Sequence, residues 1–196
     1  MKLVLASSSP ARTRILQQLR LPFDTVTPDI DETPLSGENT IDYVTRLSLQ
    51  KARVVAPQHP DSLVIGSDQA CTLNGLIMGK PGTIEAACKH LKMCSGQWLE
   101  FHTGLALINT QSGKEHSHVE KFTVKFRQLS DEEIRAYVQL DQPLNCAGCF
   151  KVEAAGISLF EALEGQDYNS LLGLPVIALV SLLKAEGLNP LLAAKP

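Results

Sequence analysis

Leu63-Val64-Ile65-Gly66-Ser67-Asp68-Gln69 sets the reading of this chain, because three apolar residues that favour a buried strand are followed at once by a glycine, a hydroxyl and a carboxylate. The run predicts a strand ending at Gly66-Ser67-Asp68. In open α/β sheets ligands lie just beyond the carboxyl ends of central strands, so Asp68 is expected at the mouth of such a crevice. A surface turn that happens to contain an aspartate is the competing reading, and what flanks the stretch decides between the two.

Downstream, Ala70-Cys71-Thr72-Leu73 and Leu76-Ile77-Met78 flank Asn74-Gly75, a strong hairpin signal, so the strand is expected to bend at Asp68 into a small hairpin. Gly79-Lys80-Pro81-Gly82-Thr83 then opens a helix over 84–93 capped by Thr83. Lys80 thus falls beside a helix N-terminus, where a cation is disfavoured unless something negative lies between. Upstream, residues 2–6 predict a buried strand, and Ser7-Ser8-Ser9-Pro10 a polar loop with Ser9 as N-cap and Pro10 at the first helical position. A strand, polar loop and helix in that order present free backbone N–H groups to phosphate. In the helix over 10–20, Ile15, Leu16 and Leu19 form the apolar face, and Arg12, three, four and seven positions earlier, shares it; Arg14 and Arg20 fall on the solvated side.

Residues 21–26 predict a second strand, and 28–34 a loop carrying Asp29, Asp31 and Glu32, which are either solvated or placed to hold a cation. Asn39 or Thr40 caps a helix reaching 55, with Ile41, Val44, Leu47, Val54 and Val55 on one side. Lys51 falls in that arc, while Arg46 and Arg53 face water. An inward lysine either snorkels along the core edge or meets an anion, and the cost of burying an unpaired ammonium favours the anion.

Beyond Gly96, two long strands over 97–108 and 115–127 surround a polar turn and are expected to form one wall of a cleft. His116 and His118 share a strand face, but without a third ligand they read as solvated. Ser130 starts a helix over 131–139, and 175–186 predict an apolar helix, closed by Gly187, that packs on the sheet. Cys146-Ala147-Gly148-Cys149 has redox spacing without a thioredoxin-like context. Phe150-Lys151-Val152-Glu153 alternates like a strand and leaves Glu153 either in the cleft or on the surface.

A chain of 196 residues, 44% hydrophobic and 20% charged, suits one sizeable core. Its net charge of -3 speaks against a bulk grip on nucleic acid, so any phosphate site must be local. The opening apolar run is too short for a secretory segment and none reaches membrane-spanning length, so a cytoplasmic protein without a membrane partner is expected. Five cysteines, an odd number, are expected reduced and packed. Inward or loop-edge cations at Arg12, Lys51 and Lys80, a serine loop, and acids at Glu32 and Asp68 suggest a polyphosphate bound with magnesium or manganese. Asp68 is then the candidate base for a water attacking phosphorus. Neither a Walker A loop nor a dinucleotide fingerprint is present.

The motifs Leu3-Val4-Leu5-Ala6-Ser7-Ser8-Ser9-Pro10, Asp31-Glu32, Lys51-Ala52, Gly66-Ser67-Asp68-Gln69, Gly79-Lys80-Pro81 and Gly173-Leu174-Pro175 together resemble the Maf-like nucleotide pyrophosphatases over nearly the whole chain. The resemblance implies a single domain over 1–196 of mixed α/β class, with a twisted central sheet flanked by helices and two lobes around a cleft. It implies cleavage of a nucleoside triphosphate to monophosphate and diphosphate, dependent on a divalent cation, Mg2+ or Mn2+. By position, Asp68 is the implied proton acceptor, Ser7, Arg12, Lys51 and Lys80 the phosphate ligands, and Glu32 with Asp68 the metal ligands. Gln69, Glu153 and the run from Leu159 to Gly165 look like the subgroup acting on 7-methyl-GTP, and a carboxylate at Glu153 suits a cationic base. Ala11 stands where that subgroup carries a bulky aromatic, so the stacking surface is either missing or supplied by Phe150 or Tyr168. The alternatives are a pyrophosphatase for dTTP and UTP, or a non-hydrolytic nucleotide-binding regulator of cell division or septum formation. The nucleotide is the expected partner and a homodimer the candidate assembly.

Overall fold

The computed structural model describes residues 1–194; positions 195 and 196 of the expected domain lie outside the described residues. Strands β1 (Lys2–Ala6), β2 (Phe23–Val26), β3 (Ser62–Leu73), β4 (Leu76–Met78), β5 (Trp98–Asn109), β6 (Lys114–Phe126) and β7 (Phe160–Gly165) form one sheet in the order β2-β1-β3-β5-β6-β7, with β4 paired to β3. Parallel pairing of β1 with β2 and β3, and antiparallel pairing of β3 with β4 and β6 with β7, make it the expected mixed sheet. The helices are α1 (Pro10–Gln17), α2 (Thr40–Val55), α3 (Ile84–Cys94), α4 (Asp131–Asp141), α5 (Tyr168–Leu171), α6 (Val176–Ala185) and α7 (Pro190–Ala193).

The chain divides into two compact units, one comprising 1–69, 102–120 and the residues from 167 onward, the other 70–101 and 121–166. In the first, strict alternation along the strands builds two cores. Leu3 and Leu5, Leu63 and Ile65, and Leu105 and Leu107 meet α1 and α6 through Ile15, Leu16, Leu179 and Leu183. The residues between them, Val4, Ala6, Val64, Ala106 and Ile108, pack on Ala52 and Val55 of α2. A period of two thus puts helices on both faces.

The second unit carries its own core. Phe150 packs edge-on against Phe101, Phe126 and Phe160, with centroids 5.4, 5.9 and 4.7 Å away. Asn74 and Gly75 take φ of +51° and +79° in the β3–β4 turn, as the hairpin signal requires. α4 opens on a complete capping box between Ser130 and Glu133.

Several boundaries differ from expectation. α1 ends at Gln17 rather than Arg20, which adopts φ +53°. β3 does not end at Asp68 but continues to Leu73, because β4 extends the ladder through Cys71↔Met78. What ends is its neighbour: β1 pairs with β3 only as far as Ala6↔Gly66. Residues 150–153 form no strand; two turns of 3-10 helix, Ala147–Cys149 and Ala155–Leu159, bracket them, and the strand lies later, at β7. Residues 167–175, which read as a loop by their Asp, Asn, Ser, Gly and Pro content, contain the short helix α5.

Candidate active site

Where β1 stops, Ser7 is buried, and its Oγ accepts the Ser9 N–H at 3.1 Å while Ser9 caps α1 by accepting the Arg12 N–H. Pro10 at the first helical position completes the cap. Arg12 projects from the first turn; its Nε donates to the Gly173 carbonyl at 2.7 Å and its terminal nitrogen lies 3.5 Å from Ser7 Oγ. Burial lowers the pKa of its guanidinium, and the charges of Asp68 and Glu32 oppose that shift, which puts both carboxylates within its field.

Lys51 reaches the same region from α2, and two glycines explain how. A Cβ on Gly66 would stand 2.1 Å from the Ser48 carbonyl oxygen, and one on Gly104 2.2 Å from that of Val44. The absence of side chains there lets α2 lie hard against β3 and β5. Lys51, only 6% exposed, then places its Nζ 2.6 Å from Asp68 Oδ1 and 2.6 Å from Glu32 Oε1. The inward lysine therefore meets anions, as its position on the helix required. The arc itself is shifted from the expected one: Ile41 and Val54 are exposed at 52% and 41%, and Ser48 and Ala52 take the inner positions.

The acidic loop resolves into separate roles. Glu32 turns to Lys51, and the Tyr43 hydroxyl donates to its carbonyl at 3.0 Å. Asp31 accepts the Thr33 N–H at 2.9 Å in a local turn. Arg46 does not simply face water; it grips Glu38 through two bonds of 2.6 and 2.7 Å and reaches the Thr33 carbonyl, tying the loop to α2. That ion pair holds the Glu38 carboxyl down at about 2.

Beyond Asp68, Gln69 turns its amide to Thr103 Oγ1 at 3.0 Å and to the carbonyls of Ser170 at 2.7 Å and Leu171 at 3.1 Å. Ser67 Oγ lies 2.8 Å from the carbonyls of both Gly104 and Gly173. Ala11 is half-buried in the first turn of α1. Sequence reading missed Tyr43, Ser67, Thr103 and Asp167; only Asp167, which precedes a helix as Asp often does, carried a local signal.

Lys80 and Glu153 belong to the second unit, both exposed. Both charges bear on Cys146, whose pKa burial raises; Lys151 and Lys80 pull it down and Glu153 pushes it up. Phe150 is spent on the aromatic core, buried at 6%, which corrects its expected use as a stacking surface; Tyr168 is exposed. All five cysteines are free, and burial pushes Cys94 and Cys149 up to about 12, which disfavours the thiolate at those two positions. His116 is half-buried rather than solvated and pairs with Glu186 at 2.6 Å, whereas the His118 side chain is 40% exposed, as expected, and pairs with Glu120 at 3.0 Å.

Among the described residues no set of three or more His, Cys, Asp and Glu is arranged to hold a metal ion. Glu32 and Asp68 nevertheless share one cation already, the Lys51 ammonium, so two hard carboxylate oxygens converge on a common point. A pair of carboxylates completed by phosphate oxygens is what magnesium or manganese takes, and the donor set fits.

Over 187 residues, 95% of this chain and 96% of the other, the sequence is 51% identical to the 7-methyl-GTP pyrophosphatase of Aromatoleum aromaticum. The fold is similar to that of the Ham1 protein of Staphylococcus aureus, with a TM-score of 0.54, 14% identity, and coverage of 95% of this chain and 100% of that one. Residues 2–186 match the sequence model of the Maf-like proteins, and with that match running through every strand and through α6, the chain belongs to the Maf-like protein family.

Proposed function

We propose that the chain, as a single Maf-like domain, is a nucleoside triphosphate pyrophosphatase that hydrolyses 7-methyl-GTP to the monophosphate and diphosphate. The observation that carries the reading is the meeting of Lys51 with Asp68 and Glu32 at 2.6 Å each, within the field of Arg12. A buried ammonium between two carboxylates beside an inward guanidinium is an arrangement that binds a highly charged anion together with a hard cation. The relative's printed activity supports the substrate.

Asp68, pinned through Oδ1 by Lys51, has its second oxygen left to accept a proton from a water that attacks phosphorus, as diphosphate departs. Arg12 and Ser7 take phosphate oxygens at the start of α1, the end of the helix whose dipole favours an anion. Glu32 and Asp68 would hold Mg2+ or Mn2+, which when bound neutralises phosphate charge. For Lys80 as a phosphate ligand, and for Gln69 and Glu153 as base-selecting residues, the support is the resemblance of their motifs. Ala11, a small residue at a position where an aromatic is expected, favours a second reading in which dTTP and UTP are also cleaved.

Incubation with 7-methyl-GTP, dTTP, UTP and pseudouridine triphosphate under magnesium or manganese tests the proposal. Diphosphate release is expected, fastest from 7-methyl-GTP and abolished by a chelator; no release from any of the four rejects it. A non-hydrolytic regulator would keep its cellular effect in Asp68→Asn, whereas the enzyme loses it with turnover.

A further inference from the structure

Arg12, Ser67 and Gln69 are all held by one segment, residues 167–173, through its main-chain carbonyls. The segment is organised by Asp167, a carboxylate only 3% exposed that serves two helices at once. Its Oδ1 accepts the Asn169 N–H at 2.9 Å and the Asn169 side-chain amide at 3.0 Å, at the start of α5; its Oδ2 accepts the Ile177 N–H at 2.8 Å, in the first turn of α6. The carbonyl of Asp167 takes the Ser170 hydroxyl at 2.6 Å. Held at both ends, the turn aims three carbonyls toward β3, β5 and α1.

Two of them decide the state of Gln69. The Ser170 carbonyl accepts Gln69 Nε2 at 2.7 Å and Thr103 Oγ1 at 2.8 Å, and the Leu171 carbonyl accepts Nε2 at 3.1 Å. Everything at that end of the carboxamide is an acceptor or a hydroxyl whose proton is already used, so the nitrogen must face it and Oε1 must face away. Gln69 is thereby an acceptor only. The third carbonyl, Gly173, takes Arg12 Nε at 2.7 Å, which fixes the guanidinium with one terminal nitrogen 3.5 Å from Ser7 Oγ, both groups being those proposed to meet the anion. Gly173 sits at φ +107°, where a side chain is strained, and a Cβ there would lie 3.3 Å from Arg12 Nε.

We infer that Asp167 is a positioning residue which, through the 167–173 turn, orients Arg12 for the triphosphate and commits Gln69 to accept N–H groups from the base. Phosphate grip and base choice are then set by one buried carboxylate. A fixed acceptor suits guanine, whose ring edge donates, and opposes adenine, whose ring nitrogen at the corresponding edge accepts. The inference rests on the pyrophosphatase reading.

The test measures kcat and KM for 7-methyl-GTP and ATP, and calorimetric binding of inorganic tripolyphosphate, in wild type, Asp167→Asn, Gly173→Ala and Thr103→Val. Asp167→Asn is expected to raise KM for 7-methyl-GTP and the tripolyphosphate Kd by about tenfold, with kcat changed less, and to shrink the preference over ATP by about tenfold. Gly173→Ala should weaken tripolyphosphate binding without moving the preference, and Thr103→Val should do the reverse. A purely structural Asp167 lowers the active fraction and leaves KM, Kd and preference at their wild-type values; that result overturns the inference. If Asp167→Asn does not fold, the opposed behaviour of the other two variants decides, and identical profiles for them overturn it. Failure of wild type to bind or cleave any nucleotide is a different result, which removes the pyrophosphatase reading itself.

Discussion

At the scale of single residues the site is defined by Lys51. An ammonium with 7% side-chain exposure is costly to bury, and the two carboxylate oxygens at 2.6 Å offset that cost. Removing it takes the direct ion-pair partner from Asp68, itself 7% exposed, and leaves the Arg12 guanidinium to act on it from farther away. Lys51→Met is therefore expected to destabilise the fold by about 3–5 kcal/mol in urea unfolding, and adding Asp68→Asn should recover most of the loss. For Asp68→Asn alone the expected signature is kinetic: kcat for diphosphate release falls by about 10²–10⁴, the range for loss of a positioned general base, while nucleotide still binds. Retention of wild-type kcat would remove Asp68 from that role.

Elements position these residues through close backbone approach. α2 rests on β3 at Gly66, where a methyl group would meet the Ser48 carbonyl at 2.1 Å. Gly66→Ala must push the helix outward, and a loss of about 3 kcal/mol in the denaturant midpoint analysis is expected, accompanied by weaker phosphate binding because Lys51 moves with α2. The C-terminal end of α6 is fastened differently. Glu186, after its last turn, accepts from His116 at 2.6 Å and from Asn109 at 2.7 Å, and Lys114 lies at 3.3 Å. These partners, His116 first, hold its pKa at about 2 against an ordinary 4.5. A depressed carboxylate contributes stability that is complete above about 4.5 and disappears as pH falls toward about 2. Glu186→Gln should accordingly be less stable than wild type at pH 7 by thermal melting, with the gap closing through that window; a gap that stays constant would mean the carboxylate charge is irrelevant.

For the whole molecule, binding and folding are linked. The described site needs the 28–38 loop, α1, α2, β3 and the 167–173 turn in place together, so a nucleotide that bridges them binds only the folded state. Asp68→Asn, which spares the ligand, should gain about 2.7 kcal/mol of stability at a 7-methyl-GTP concentration a hundred times its own Kd. Equal melting temperatures with and without nucleotide would mean that these segments do not share a ligand.

Chain-local chemistry was sufficient for much of this: the hairpin at Asn74-Gly75, the caps at Ser9, Asn39, Thr83 and Ser130, and the alternation that splits Leu3 and Leu5 from Val4 and Ala6 all depend on neighbours a few positions away. The inward set of Lys51 was equally legible, since helical periodicity alone places it among buried residues. Sequence did not disclose that β3 runs on past Asp68, because whether a strand ends is decided by the partners that accept its ladder, and β3 has β5 as well as β4. Nor did it show that Phe150 would be consumed by an aromatic core or that Arg46 would anchor the acidic loop. The 167–173 turn is the clearest case: its carbonyls receive Arg12 and Gln69 from positions 161 and 101 residues away, and no periodicity encodes a hydrogen bond across such distances. Side-chain direction follows from local geometry, whereas the atom a side chain meets is set by tertiary packing.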